Sequence, residues 1–405
     1  MVFELTDGAK QTRLLTLTLI LFLSYLCVGI SLPVAPIFVA RELGLNNIWA
    51  GSSVGIAFLS TILTRGQAGS FSDRRGPKRA VAVGLSFYIA GALISIFAGL
   101  CADIPPTAYT ILIIGRIMIG FGESLVAVGV IGWGIGLVGP EQSGKVLALV
   151  GAALYGALGA GGPVGLLLFE RIGFSGAMLV SLMLPAIGLL AIWRIPDVAV
   201  HPEAQRPSFL TVIRKIWLHG AVVCLQGIGF AVIGAFFSLY FADRGWPWAG
   251  MGLSAFAAGF VLVRIFFGHL PDRIGGLPVA IGSLSIEMVG QLVIWLSPNP
   301  GFALVGAFLT GVGCSMVFPS MGREVVRLVA PHLRGTALGG FSAFQDLAYG
   351  LAGPGAGLLA DIAGYPSVFL AGCVSSALGL IIAIMLRMAS SRTSPQLHNA
   401  SGDSP

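Results

Sequence analysis

Charge is what this sequence lacks most. Only 10% of its 405 residues are Asp, Glu, Lys or Arg. A soluble domain carries about 25%, so this chain cannot clothe a water-facing surface. A soluble globular fold is excluded. Hydrophobic residues make up 56%, and mean hydropathy is +0.92. Lipid is the expected solvent for most of the chain. Short segments of alternating apolar and polar residues are also missing, which excludes a spanning β-barrel. Cysteine is scarce. Cys27, Cys101, Cys224, Cys314 and Cys373 stand singly in or beside apolar segments, without disulfide or metal spacing. They read as small buried hydrophobes. No GxxxxGK[ST] loop occurs, so energy from a nucleotide held by this chain is not expected. The start, "MVFELTDGAKQTR", holds acids and runs into an apolar stretch without a cleavage-type site. That stretch reads as a retained first helix.

What the chain does have is long apolar runs of about 20 residues, the length that spans a bilayer. Six fall near 14–38, 47–68, 78–101, 107–137, 145–169 and 174–194. Six more fall near 214–240, 246–267, 278–297, 300–325, 335–360 and 366–388. The expected organisation is a terminus over 1–13, a six-helix bundle over 14–194, a linker over 195–213, a second bundle over 214–388 and a disordered polar tail over 389–405. Glycine is abundant at 58 residues, as suits helices whose backbones approach closely in lipid.

The basic residues set the orientation. Of 23 lysines and arginines, Arg41, Arg171 and Arg244 lie on one side, and Arg65, Arg116 and Arg264 lie inside apolar runs. The other 17 lie in the termini, the central linker and the exits of even-numbered helices. Both termini are expected in the cytoplasm of a multi-pass protein of the bacterial inner membrane. This asymmetry accounts for the net charge of +6 without a nucleic-acid partner.

The two sets of helices repeat. Trp49, Arg65 and Asp73 recur as Trp248, Arg264 and Asp272, each 199 residues on. Gly120, Gly122, Gly162-Pro163 and Gly173 recur as Gly311, Gly313, Gly353-Pro354 and Gly364, each 191 on. Parallel six-helix repeats are a known transporter plan, with the solute site between the halves.

Four motifs resemble those of the major facilitator superfamily. "GSFSDRRGPKR" (Gly69 to Arg79) is similar to the loop motif between its helices 2 and 3, and "GHLPDRIG" (Gly268 to Gly275) to a degenerate copy between helices 8 and 9. Arg116-Ile-Met-Ile-Gly120-Phe-Gly122 resembles a helix 4 motif of proton-coupled members. Gly159-Ala-Gly-Gly162-Pro163-Val-Gly165 resembles, with altered upstream glycine spacing, the helix 5 motif of antiporters. The resemblance covers about 14–388 and is nearest to bacterial drug and sugar exporters. It implies an all-α membrane protein of twelve transmembrane helices in two pseudo-symmetric bundles. It also implies a conformational gate at Gly69, Asp73, Arg74, Gly76, Asp272 and Arg273, with helix 11 as the neighbour of Asp73. A plain topology signal is the alternative for that loop.

A lone charge at the bilayer centre costs at least ~2.5–3.5 kcal/mol and therefore faces a cavity or a partner. Arg116 and Glu123 are seven residues apart, on one helix face and roughly 10 Å apart along the axis. With Asp346 on helix 11 they are candidates for proton coupling, against the alternative of structural pairing. Glu287 on helix 9 reads as a packing residue. Arg65 and Arg264 can hold an anionic or zwitterionic solute or snorkel to the surface. Tyr25, Gln226 and Gln345 are further candidates for the solute lining, with Phe121 and Phe230. His219 reads as interfacial. Gly162-Pro163 and Gly353-Pro354 are expected to bend helices 5 and 11.

The combined reading is a secondary transporter, not an enzyme. It acts as a monomer and uses no cofactor. It exports a small organic solute by alternating access in exchange for protons. The alternatives are proton symport or facilitated uptake of a sugar or organic anion, and, further off, lipid translocation or membrane sensing.

Overall fold

The computed structural model describes residues 7–139, 142–198, 209–329 and 334–393. Among these residues there is no strand, and helices follow one another with short turns. They are α1 (Asp7–Ile37), α2 (Asn47–Arg75), α3 (Pro77–Leu100) and α4 (Pro105–Val138). Next comes the continuous stretch Ser143–Ala191. Then follow α7 (Phe209–Asp243), α8 (Met251–Phe267), α9 (Gly276–Trp295), α10 (Pro300–Leu328), α11 (Arg334–Ala363) and α12 (Tyr365–Thr393). Within Ser143–Ala191 only Gly173 leaves helical dihedrals, with φ 70°. It divides α5 (143–172) from α6 (174–191). That makes twelve long helices among the described residues. Nine helical stretches among the described residues are long and apolar enough to cross a membrane, one of them spanning both α5 and α6. The remaining two, α8 and α11, are the shorter or more glycine-rich members.

Turn chemistry sets the helix ends. Gly76 (φ 91°) closes α2, and Pro77 opens α3 at a position that needs no amide donor. Gly275 (φ 97°) makes the same turn before α9, and Gly364 (φ 78°) matches Gly173. Gly76 with Gly275, at offset 199, and Gly173 with Gly364, at offset 191, are therefore repeated backbone turns, which a side chain would strain. Asn46 and Asn299 cap α2 and α10 by accepting from the amides of Trp49 and Phe302.

Several boundaries differ from expectation. The charged motif is helical up to Arg75, because no residue before Gly76 supplies a stop. In the second half α8 ends at Phe267, and a separate short helix, Leu270–Ile274, carries Asp272. α1 begins at Asp7, inside the expected terminus. α7 begins at Phe209, inside the expected linker, and α12 runs to Thr393. The rest of the linker, 199–208, and 394–405 of the tail lie outside the described residues. The linker's start is pinned: Lys78 Nζ donates to the Ile195 carbonyl (2.7 Å) and Trp133 Nε1 to that of Pro196 (2.9 Å).

Two bundles, α1–α6 and α7–α12, meet along two principal seams, α2 against α11 and α5 against α8. Gly51 and Gly55 of α2 lie against the Gly353 and Gly350 carbonyls of α11, and Gly162 of α5 lies against Gly250 at the start of α8. Further along the same seam helices, Gly66, Gly69 and Gly339 have no neighbour within 4 Å of where a Cβ would stand. The seams are shut at the end distant from the chain termini and splayed at the end that carries them.

Pro163 and Pro354 lie within helices whose dihedrals stay helical, so the expected bends are not breaks. Their effect is on hydrogen bonding. A proline lacks the N–H that would reach the carbonyl four residues earlier. Pro163 thus frees the Gly159 carbonyl, which accepts from Ser254 Oγ of α8 at 2.5 Å. Pro354 frees the Gly350 carbonyl, which faces Gly55 of α2. Each freed acceptor points across a seam to the other half.

Candidate solute cavity and its buried charges

A cavity of ≈ 660 Å³ lies between the halves at the splayed end. Its wall is uneven in origin. α5 supplies the contribution of the first half, through Leu147 to Tyr155, and α7, α8, α10 and α11 supply the rest. The expected lining residues Gln226, Gln345 and Phe230 are there. So is Arg264.

The inner end is aromatic. Tyr155 stacks on Phe260 with ring centroids 3.5 Å apart, Phe256 packs on Phe230 (5.1 Å), and Phe230 meets Tyr349 edge-on (5.0 Å). Phe58 of α2 closes on Tyr349 from behind (5.2 Å). This layer separates the cavity from the shut end. Phe121 is elsewhere, against Phe87 of α3. Of these rings the sequence reading had only Phe230, because aromatics are spread through every span and no motif marks the facing ones.

Arg65 and Arg264 share a repeat position and differ in fate. Arg264 Nη2 donates to the Ser315 carbonyl of α10 (2.6 Å), and its guanidinium lies 4.8 Å from the centre of the Phe260 ring. Arg65 is absent from the wall. Its Nη2 pairs with Asp346 Oδ2 at 2.9 Å, a bond from α2 to α11 across the seam. Both side chains are largely shielded, with 30% and 12% of their surfaces exposed, so the pair is screened less than a surface pair.

Arg116 and Glu123 do not pair with one another. Arg116, 1% exposed, donates from Nε to the Ser53 carbonyl (2.8 Å) and from Nη1 to Ser31 Oγ (2.6 Å). It ties α4 to α1 and α2. Glu123 accepts from the Tyr25 hydroxyl at 3.1 Å, and its Oε2 has no hydrogen-bond partner among the described residues. Tyr25 therefore serves Glu123 and is not part of the cavity wall. The Glu123 carboxyl lies within electrostatic reach of Asp346 and Arg65. Gly120 and Gly122, between the two charges, let α4 close on α2 and α3. Thr61 of α2 donates to the Gly120 carbonyl at 3.1 Å.

Glu287 is fully buried inside the second bundle, not at its rim. Neither carboxyl oxygen has a hydrogen-bond partner among the described residues. Cys314 and Ser376 are its polar neighbours. Gly229 and Gly313 leave the room it fills. His219 is likewise buried rather than interfacial.

The gate candidates sit at the splayed end. Asp73 and Arg74 are exposed, Gly69 has open space beside it, and Gly76 makes the turn. Asp272 is 3.6 Å from Arg323 of α10, whose neighbour Glu324 accepts from the Gly276 amide at the start of α9 (3.0 Å). Arg273 is exposed. At the shut end is a polar clasp the motifs did not reveal. Asp361 of α11 accepts from the amide and side chain of Asn47 (3.1 and 2.8 Å), and Tyr365 donates to Asn47 Oδ1 (2.9 Å). Asp361 stands 191 residues after Glu170, an acidic pair at both helix ends that the repeat could have flagged.

Comparison with known proteins agrees with this architecture. The family description "Major Facilitator Superfamily" matches residues 17–275 and 222–403. An uncharacterized MFS-type transporter of Salmonella typhimurium is 41% identical over 382 residues, 94% of this chain and 98% of that protein. One from Pseudomonas aeruginosa is 39% identical over 390 residues, 95% and 96% of the two chains. Among solved structures, a mutant of the nucleoside transporter NupG superposes with TM-score 0.75 at 15% identity, covering 92% of this chain and 99% of its own. The human organic anion transporter MFSD10 gives 0.66 at 15%, with the same coverage. The repeated bundles, the paired seams and these matches lead to one conclusion: the chain is a transporter belonging to the Major Facilitator Superfamily.

Proposed function

We propose that this transporter exports a small organic solute from the cytoplasm across the bacterial inner membrane in exchange for protons, as a monomer with both termini cytoplasmic. The basic residues gathered at the splayed end support a cytoplasmic side there, and on this reading the cavity is inward-facing. The observation that carries the coupling is the Arg65–Asp346 pair, which joins the halves with the Glu123 carboxyl in electrostatic reach. A proton arriving at Asp346 removes its negative charge and releases Arg65. A proton leaving restores the pair. The link between the halves thus depends on protonation, and that dependence is what couples a rocking motion to a gradient. The Asp73 loop is the companion gate for the outward-facing state, in which α2 and α11 close at the cytoplasmic end.

The test uses proteoliposomes with an imposed pH gradient, a panel of small organic solutes and a pH dye inside the vesicles. Solute movement accompanied by opposite proton movement is the expected result, with Asp346→Asn moving solute only down its own gradient. Transport indifferent to the gradient, with Asp346→Asn behaving as the wild type, overturns the proposal.

A further inference from the structure

We infer that the cavity selects organic anions with a planar aromatic body, the anionic head on Arg264 and the ring in the aromatic layer. The inference rests on the cavity being the solute site, as proposed above. Three observations lead to it.

The first is charge. Among the described residues the wall holds Arg264, Arg323 and Arg327 and no carboxylate. Arg323 and Arg327 are engaged, with Asp272 at 3.6 Å and with Glu324 at 4.0 and 3.9 Å. Arg264 has no carboxylate partner among the described residues. Asp346, its nearest rival for a counter-charge on α11, is taken by Arg65. A guanidinium in a low-dielectric wall, met by one carbonyl and the Phe260 ring but by no anion among the described residues, favours an anion entering beside it.

The second is donor geometry. Arg264 spends Nη2 on the Ser315 carbonyl. Its Nε is buried and has no partner, and its Nη1 reaches toward Gly151 of α5, where a Cβ would be 3.7 Å away. Nη1, which borders the cavity beside Gly151, remains for a carboxylate, sulfonate or phosphate oxygen.

The third is shape. The rings of Tyr155, Phe230, Phe256, Phe260 and Tyr349 gather at the inner end, and flat rings pack best against flat rings. The side-chain amides of Gln226 and Gln345 border the same space and can take a second polar group of the solute. An ammonium head would meet an uncompensated guanidinium. A sugar would leave both the charge and the aromatic faces without a match.

Binding to the purified full-length protein in nanodiscs, measured by calorimetry at neutral pH without a gradient, tests this with three probes. These are 2-naphthoate, 2-naphthylmethylammonium and acetate. The expected order has 2-naphthoate tighter than both others by at least about tenfold. Arg264→Gln abolishes that preference, Arg264→Lys keeps part of it, and Tyr155→Leu weakens 2-naphthoate while leaving acetate alone. Equal binding of the cation, equal binding of acetate, or unchanged affinity in Arg264→Gln overturns the inference. If Arg264→Gln does not yield a monodisperse protein, the wild-type probe order and Tyr155→Leu decide it. Binding without a gradient is independent of proton coupling. Failure here therefore leaves the Asp346→Asn result standing, and failure there leaves this one standing.

Discussion

In the first half the buried charges sit on α4, where Arg116 and Glu123 bracket Gly120 and Gly122. In the second half the corresponding helix, α10, carries Ala307 and Cys314 at those positions, 191 residues on, and the interior acid is Glu287 on α9. The position 199 residues before Glu287 is Tyr88 on α3, which packs beside Gly122 and feels the charge of Glu123. Glu123 on α4 turns to Tyr25 of α1, whereas Glu287 on α9 lies against Gly313 of α10 and Gly229 of α7. The interior acid is borne by α4 in one half and by α9 in the other. The glycines of α4 and α10 did not move: Gly120 and Gly311 face α2 and α8, and Gly122 and Gly313 face α3 and α9, all in close contact. Duplication fixed where helices approach. It left open which helix bears charge.

The sharpest test of this contrast sets two isosteric changes side by side. Glu123→Gln is expected to abolish proton-coupled movement in vesicles, since it removes the titratable group facing the Arg65–Asp346 link. Glu287→Gln is expected to keep coupling and to change stability by less than about 1 kcal/mol in a thermal-shift assay, because an acid without a cationic partner is best buried neutral. The reverse pattern would move the coupling site into the second half.

Next in size is the shut end. Gly51→Leu places a side chain where the Gly353 carbonyl lies. Overpacking of this kind costs about 1–3 kcal/mol, enough to move the balance toward an open outer end. Labelling of Ala50→Cys, at a position fully buried in the shut seam, by a membrane-impermeant maleimide should rise sharply in the Gly51→Leu background. Unchanged labelling would mean that the seams do not govern the state. The smallest effect is expected from Ser254→Ala, which removes the donor to the Gly159 carbonyl. A loss of about 1 kcal/mol in thermal stability is the predicted outcome. A change beyond about 3 kcal/mol would give that contact more weight than the glycine packing around it.

Much of the fold was legible because lipid imposes simple demands. Scarce charge and apolar runs of spanning length gave twelve crossings, and the offsets of 199 and 191 paired them. Helix ends were legible where glycine or proline enforced them, as at Gly76-Pro77 and Gly173. They were not legible in the charged motif, since hydropathy tells where lipid ends and says little about where a helix stops. Asp73, Arg74 and Arg75 are compatible with helix, and α2 continues through them. The site was legible in part. Arg264, Gln226, Gln345 and Phe230 stand in the cavity wall. Arg65 and Tyr25 do not, because each found an acid on another helix: Asp346 lies 281 residues from Arg65, and Glu123 lies 98 from Tyr25. A one-dimensional reading sees a charge in an apolar span. It does not see which face the packing turns inward.

The prolines of α5 and α11 have a consequence for how such a protein changes over generations. Each withdraws one hydrogen bond from its own helix and offers the acceptor to the opposite bundle, at Ser254 or beside Gly55. These crossings border the aromatic layer: Gly350 follows Tyr349, Gly159 lies one turn from Tyr155, and Ser254 stands two residues from Phe256. An exchange of a serine, an alanine or a glycine here therefore alters the hinge between the bundles and the floor of the cavity in a single step.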